Sequence, residues 1–164
     1  MLVVSNTSPI LNLALIGRLG LLRQQFQQVL IPDAVHEELR LDDPHPGNEA
    51  IRQALAAGWL RVGTLQNEHL KRVLEADLDT GEAAAIALAA ELGAEWALLD
   101  EREGRLAAKR LGLPVTGVLG ILLRAKISGS VPALRPEIEA LRRDAGFRIR
   151  EDLVQELLAE AGEE

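Results

Sequence analysis

Short apolar runs alternating with longer helical segments predict an α/β protein. The expected architecture is a three-layer α/β/α sandwich around a central, mostly parallel sheet of four to five short strands, two helical layers covering its faces. Three observations carry this reading. Short β-branched or aliphatic runs recur at Leu2–Ser5, Val29–Ile31, Trp59–Val62, Glu95–Leu99 and Val115-Thr116. Each is followed by a stretch able to form the crossover helix that parallel pairing requires. The segment Ala83–Ala90 is Ala-rich and apolar on every side, the pattern of a helix enclosed between layers rather than lying on a surface.

Along the chain, Leu2–Ser5 is the first strand. Pro9 suits the first turn of a helix reaching about Ile16, with Thr7 or Ser8 as cap. Gly17 and Gly20 punctuate it, and a second short helix follows to about Gln28. Pro32-Asp33 opens a helix after the second strand. The turn-rich Asp42-Asp43-Pro44-His45-Pro46-Gly47-Asn48 is the clearest loop. Helices are then expected at Glu49–Ala57, Glu68–Ala76, Asp79–Leu92, Asp100–Leu111, Leu119–Ile127, Pro136–Asp144 and Glu151–Ala161. With no repeat and no linker, residues 1–164 read as one domain, and 159–164 as a flexible acidic tail.

Composition narrows the function. Without cysteine there is no thiolate metal site and no disulfide, which suits a reducing compartment, so a cytoplasmic protein is expected. No secretory leader and no membrane span are expected, because the longest apolar run falls far short of the ~20 residues a span needs. The net charge is −7, yet between Gly104 and Arg150 ten Lys or Arg stand against three acids. A basic third beside an acidic remainder is compatible with a phosphate-binding rim around a cation site, and equally with solvated helix faces.

The acids decide between these. In doubly wound folds ligands sit outside the carboxyl ends of the strands. Asn6 and the Asp100 segment both follow apolar strands directly. On the helix after Pro32, Val35 and Leu39 define the inward stripe. At about 100° per residue, Glu38 lies roughly 80° from that stripe and can reach inward, while Glu37 meets water. The same arithmetic over Asp100–Leu111 turns Asp100 and Glu103 inward and Glu101 outward. Asp79-x-x-Glu82 and Asp100-x-x-Glu103 also match the capping box, which needs no metal. Converging carboxylates at strand ends suit a hard cation and phosphodiester chemistry.

These segments resemble the PIN domain family, metal-dependent nucleases that include the VapC-type toxins of prokaryotic toxin–antitoxin pairs, and are closest to an uncharacterised prokaryotic PIN-like group. The likeness rests on the hydroxyl-rich opening turn, Val35-x-x-Glu38-Leu39, Thr80-Gly81-Glu82-Ala83, Leu99-Asp100 with Gly104-Arg105, and Gly112-Leu113-Pro114-Val115-Thr116-Gly117. It implies catalytic Glu38, Glu82, Asp100 and Glu103, with Asn6, Glu82 and Asp100 as ligands of Mg²⁺ or Mn²⁺. Ser8 matches the small hydroxyl that supports the site, and Arg102, Arg105 and Lys109 are read as substrate contacts. Asn6 stands where the family usually has Asp, offering a neutral carbonyl oxygen in place of a charged ligand. The implied activity is metal-dependent cleavage of single-stranded RNA. An antitoxin protein and a homodimer are the implied partners. The alternative is a catalytically weakened module that binds RNA or a protein without cutting.

Overall fold

The computed structural model describes residues 1–163. Five strands form one sheet in the order β3-β2-β1-β4-β5, every pair parallel: β1 (Val3–Ser5), β2 (Val29–Pro32), β3 (Leu60–Gly63), β4 (Trp96–Leu98) and β5 (Val115–Thr116). The register sets Ser5 opposite Leu98 and Leu98 opposite Thr116. Beyond it, Asn6 N–H donates to Leu98 O at 3.0 Å and Leu99 N–H to Thr116 O at 2.9 Å. Asn6 and Asp100 therefore emerge from neighbouring strands at the same edge of the sheet.

Strand periodicity divides the core in two. Val3, Val29, Ile31 and Leu98 point to one face; Val4, Leu30, Ala97 and Leu99 point to the other. The first face is covered by α1 (Thr7–Leu15), α2 (Gly20–Phe26), α4 (Asn48–Ala57), α8 (Val118–Ile127), α9 (Arg135–Asp144) and α10 (Glu151–Glu160). The second packs on α6 (Thr80–Leu92), with residues of α5 (His69–Leu74) and α7 (Arg102–Arg110) outside it. α6 is buried continuously from Gly81 to Ala89. The Ala-rich run permits this, since small side chains let the helix lie close to the sheet and its neighbours at once. No described helix is long and apolar enough to cross a membrane.

Two expectations are corrected. The helix after β4 begins at Arg102, not Asp100, because Glu101 is extended (φ −84°, ψ 143°) and occupies the cap position. The tail also differs: α10 runs to Glu160, and the Glu163 carboxylate accepts from Leu134 N–H at 2.6 Å and Arg135 N–H at 3.2 Å. That carboxylate caps the start of α9 and holds the chain end down through Glu163. Glu164 lies outside the described residues.

Candidate active site at the carboxyl edge of the sheet

Asn6 occupies the cap position of α1, where an Asn side chain ordinarily accepts from the first free helical N–H groups. Here it makes no capping bond. Its Oδ1 is buried without a hydrogen-bond partner. A side-chain carbon placed on Gly81 would meet Glu38 Oε2 at 2.5 Å, Asn6 Oδ1 at 3.2 Å and Asp79 Oδ1 at 3.6 Å. Three oxygens from the ends of β1, α3 (Asp33–Leu39) and the loop before α6 thus surround one point. Only glycine leaves that space open. Glu38 turns inward at the end of α3, as its position relative to Val35 and Leu39 predicts, while the residue as a whole stays exposed.

Glu82 lies one residue on, buried in the first turn of α6. Asp79 Oδ1 accepts from Glu82 N–H at 2.8 Å, so the capping half of the motif is formed. Burial, then the adjoining Asp79 carboxylate and the charge of Glu101, push the Glu82 carboxyl up to about 7, and the Asp79 backbone N–H offsets part of this. Glu82 also fills the space beside Gly104, where a side-chain carbon would stand 2.6 Å from its Oε2. α7 can pack against α6 here because position 104 has no side chain.

Asp100 is held differently. Ser8 Oγ donates to Oδ2 at 2.6 Å, Asn12 Nδ2 donates to the same oxygen at 3.3 Å, and Val118 N–H donates to Oδ1 at 2.8 Å. Burial raises its pKa, and these three donors together with Arg105 oppose that rise. Asp100 therefore caps α8, eighteen residues away, and not the helix that follows it. Arg105 Nη1 donates to Leu99 O at 3.0 Å and lies beside the Asp100 carboxylate.

On α7 the expected helical phase holds only from Arg102 onward. Asp100 and Glu101 precede the helix, so helical phase does not apply to them. Glu101, expected to point away, is the residue whose charge acts on Glu82. Glu103, expected inward, lines an apolar groove of about 670 Å³ between α5 and α7, with Leu74, Leu106 and Arg110. Arg102 and Lys109 are exposed on α7. The longer basic stretch is not one surface: the Arg124 guanidinium stacks on Trp96 at 5.3 Å and Phe26 at 5.8 Å, and Lys126 donates to Pro132 O at 3.1 Å.

Sequence reasoning assigned Asp79 to a cap alone and passed over Asn12. A signal for Asn12 existed: it stands four residues after Ser8 in α1, hence on the same face, as a polar residue among buried apolar ones.

A family model described as PIN domain (DUF3368) matches residues 2–163. The chain belongs to the PIN domain family. A solved structure of a PilT N-terminus domain protein, SSO1118, from the hyperthermophilic archaeon Sulfolobus solfataricus P2 shares the fold. It is 21% identical, with a TM-score of 0.54, covering 76% of this chain and 93% of the other. No curated protein matches the chain. PIN domains are generally nucleases that use divalent metal ions.

The site can be tested against such an ion from its own atoms. All its donors are oxygens, the set that Mg²⁺ and Mn²⁺ prefer. Among the described residues, no three Asp, Glu or His side chains gather closely enough to hold an ion by themselves. An all-protein cage is thus absent from this arrangement. Mg²⁺ does not need one: it is commonly bound through one or two carboxylates, with water and substrate phosphate completing the shell. The orphaned Asn6 Oδ1 facing Glu38 Oε2 fits that open kind of site.

Proposed function

We propose that this PIN domain is a metal-dependent endoribonuclease acting on single-stranded RNA, with Asn6 and Glu38 as direct ion ligands and Glu82 beside them. The observation that carries the reading is the buried Asn6 Oδ1 left without a donor, with Glu38 Oε2 turned toward the same open point beside Gly81. A buried oxygen left without a partner is costly, and a cation held between it and the carboxylate would remove that cost. The presence of Asn in place of Asp lowers the charge of the site without removing the ligand oxygen.

A bound Mg²⁺ or Mn²⁺ would supply Lewis-acid polarisation of the scissile phosphate and a lowered pKa for the attacking water. The chain's own groups do the rest. Glu82, buried and crowded by the Asp79 carboxylate, can accept a proton near neutral pH. Asp100 is locked by Ser8, Asn12 and Val118 N–H, which fixes the junction of β4, α1 and α8. Arg105, Arg102 and Lys109 recur at three- and four-residue spacing along α7 and form a positive strip for the RNA backbone. We extend the proposal to the toxin role of a toxin–antitoxin pair, with an antitoxin protein as partner.

The test is cleavage of end-labelled single-stranded RNA in Mn²⁺, with duplex RNA and single-stranded DNA in parallel. Selective cutting of single-stranded RNA, lost with Glu82→Gln, is the expected result. Retained RNA binding without cutting in either metal would select the non-cleaving binding module instead.

A further inference from the structure

Asp100 opens on its far side into a second cavity, of about 360 Å³, between the start of α8 and the segment leading into α10. Arg105, Thr116, Gly117, Gly120 and Phe147 share its wall, and α10 closes it with two leucines. We propose that this cavity receives one unpaired base of the nucleic-acid substrate, with Phe147 as its stacking platform. The inference rests on the nuclease reading and names where its substrate is read.

The size falls at the lower end of small-ligand pockets, about 300 Å³, enough for one base with part of its sugar. Two glycines shape its wall. A side-chain carbon at Gly117 would stand 2.7 Å from Asp100 Oδ1 and 3.1 Å from Arg105 Nη1, and one at Gly120 would collide with Thr116 Oγ1. Glycine at those places lets Asp100, Arg105 and Thr116 pack closely into the wall, so that the polar atoms of the lining are held in place.

Aromatic residues are scarce here: two Phe, two Trp and no Tyr. Phe26 and Trp96 are engaged with Arg124, and Trp59 packs against the core. Phe147 also packs against the core, but it is half-buried and, unlike the other three, shares a cavity with a site acid. Gly146, at φ +63°, turns the chain out of α9, and Phe147 N–H donates to Leu141 O at 3.0 Å, which fixes the ring's backbone. Every base presents a π-face, so stacking on Phe147 is tolerant of sequence. Arg105 lines this cavity beside Asp100, where a phosphate flanking the inserted base would meet a cation. A paired base cannot enter without leaving its duplex, so the cavity itself selects single strands.

The experiment measures binding of a fluorescein-labelled eight-nucleotide single-stranded RNA by anisotropy. Wild type, Phe147→Leu and Phe147→Trp are compared, together with RNAs abasic at each position in turn. Phe147→Leu is expected to weaken binding by roughly five- to a hundredfold, Phe147→Trp to retain it, and one abasic position to reproduce the loss on wild type. Equal binding by Phe147→Leu overturns the subsite while leaving the nuclease reading intact. If Phe147→Leu does not fold, the abasic series on wild type decides: one sensitive position supports the subsite, and uniform binding overturns it. Wild type that binds no single-stranded RNA overturns the nuclease reading, and the subsite with it.

Discussion

Glu82→Gln should make the protein more stable at pH 8 and abolish much of its pH dependence. In the folded chain the Glu82 carboxyl titrates at about 7, against its ordinary value of 4.5. Below about pH 4.5 the group is protonated whether the chain is folded or not, and its full contribution is present. As pH rises from there toward 7 the unfolded chain releases its proton first. Unfolding is favoured progressively, and the loss is complete once the folded carboxyl has ionised. Each tenfold difference in proton affinity is worth about 1.4 kcal/mol, so the loss is at most roughly 3 kcal/mol. For a domain of this size that corresponds to a melting-temperature difference of about 6–12 °C. The assay is thermal unfolding at pH 5 and pH 8 in EDTA, wild type against Glu82→Gln. Asp100 is also raised by burial and contributes a background slope to both proteins, so the difference between them isolates Glu82. Equal slopes would refute the reasoning. Mn²⁺ at pH 8 should restore wild type toward its pH 5 stability and affect the variant less.

Three further perturbations separate stability from function. Glu38→Gln gives Asn6 Oδ1 a donor, so the metal-free protein should gain about 1 kcal/mol in urea unfolding while cleavage is lost. Asn6→Asp restores a charge beside Glu38; it should lower metal-free stability and increase cleavage of single-stranded RNA, a gain that Asp100→Asn abolishes. Ser8→Ala removes a 2.6 Å bond to the Asp100 carboxylate. It should cost about 1.5–3 kcal/mol in the same unfolding assay.

Much of the fold was legible because its signals are local. All five strands fall within a residue or so of their apolar runs, and α6 announces its burial by being alanine on every side. Glu38 was legible for the same reason, since Val35 and Leu39 in one short helix fix the phase between them. The site failed where partners are distant. Asp100-x-x-Glu103 reads as a cap on α7, but the carboxylate caps α8, a choice made by the β4–β5 register and invisible in four residues. Glu101 is an extended cap residue before the helix, so helical phase could not show that its charge reaches Glu82. Glu103 keeps its place with Leu106 and Ala107, but on a groove away from the site. Asp79 could be recognised as a cap; that its oxygen also faces Asn6 and Glu38 depends on Gly81 bringing three elements together. Phe147, in a segment without periodicity, gave no sign of a cavity wall.

Whether an ion binds at Asn6 and Glu38 decides the proposed function most directly. Titration of Mn²⁺ into the metal-free protein, with free ion read by electron paramagnetic resonance, measures this without reference to any substrate. One ion per chain is expected for wild type, at least about tenfold weaker in Glu38→Gln and tighter in Asn6→Asp, because each carboxylate charge near a divalent cation is worth kilocalories at low effective dielectric. Wild type that takes up no Mn²⁺, or Glu38→Gln that binds it as tightly as wild type, would contradict the account.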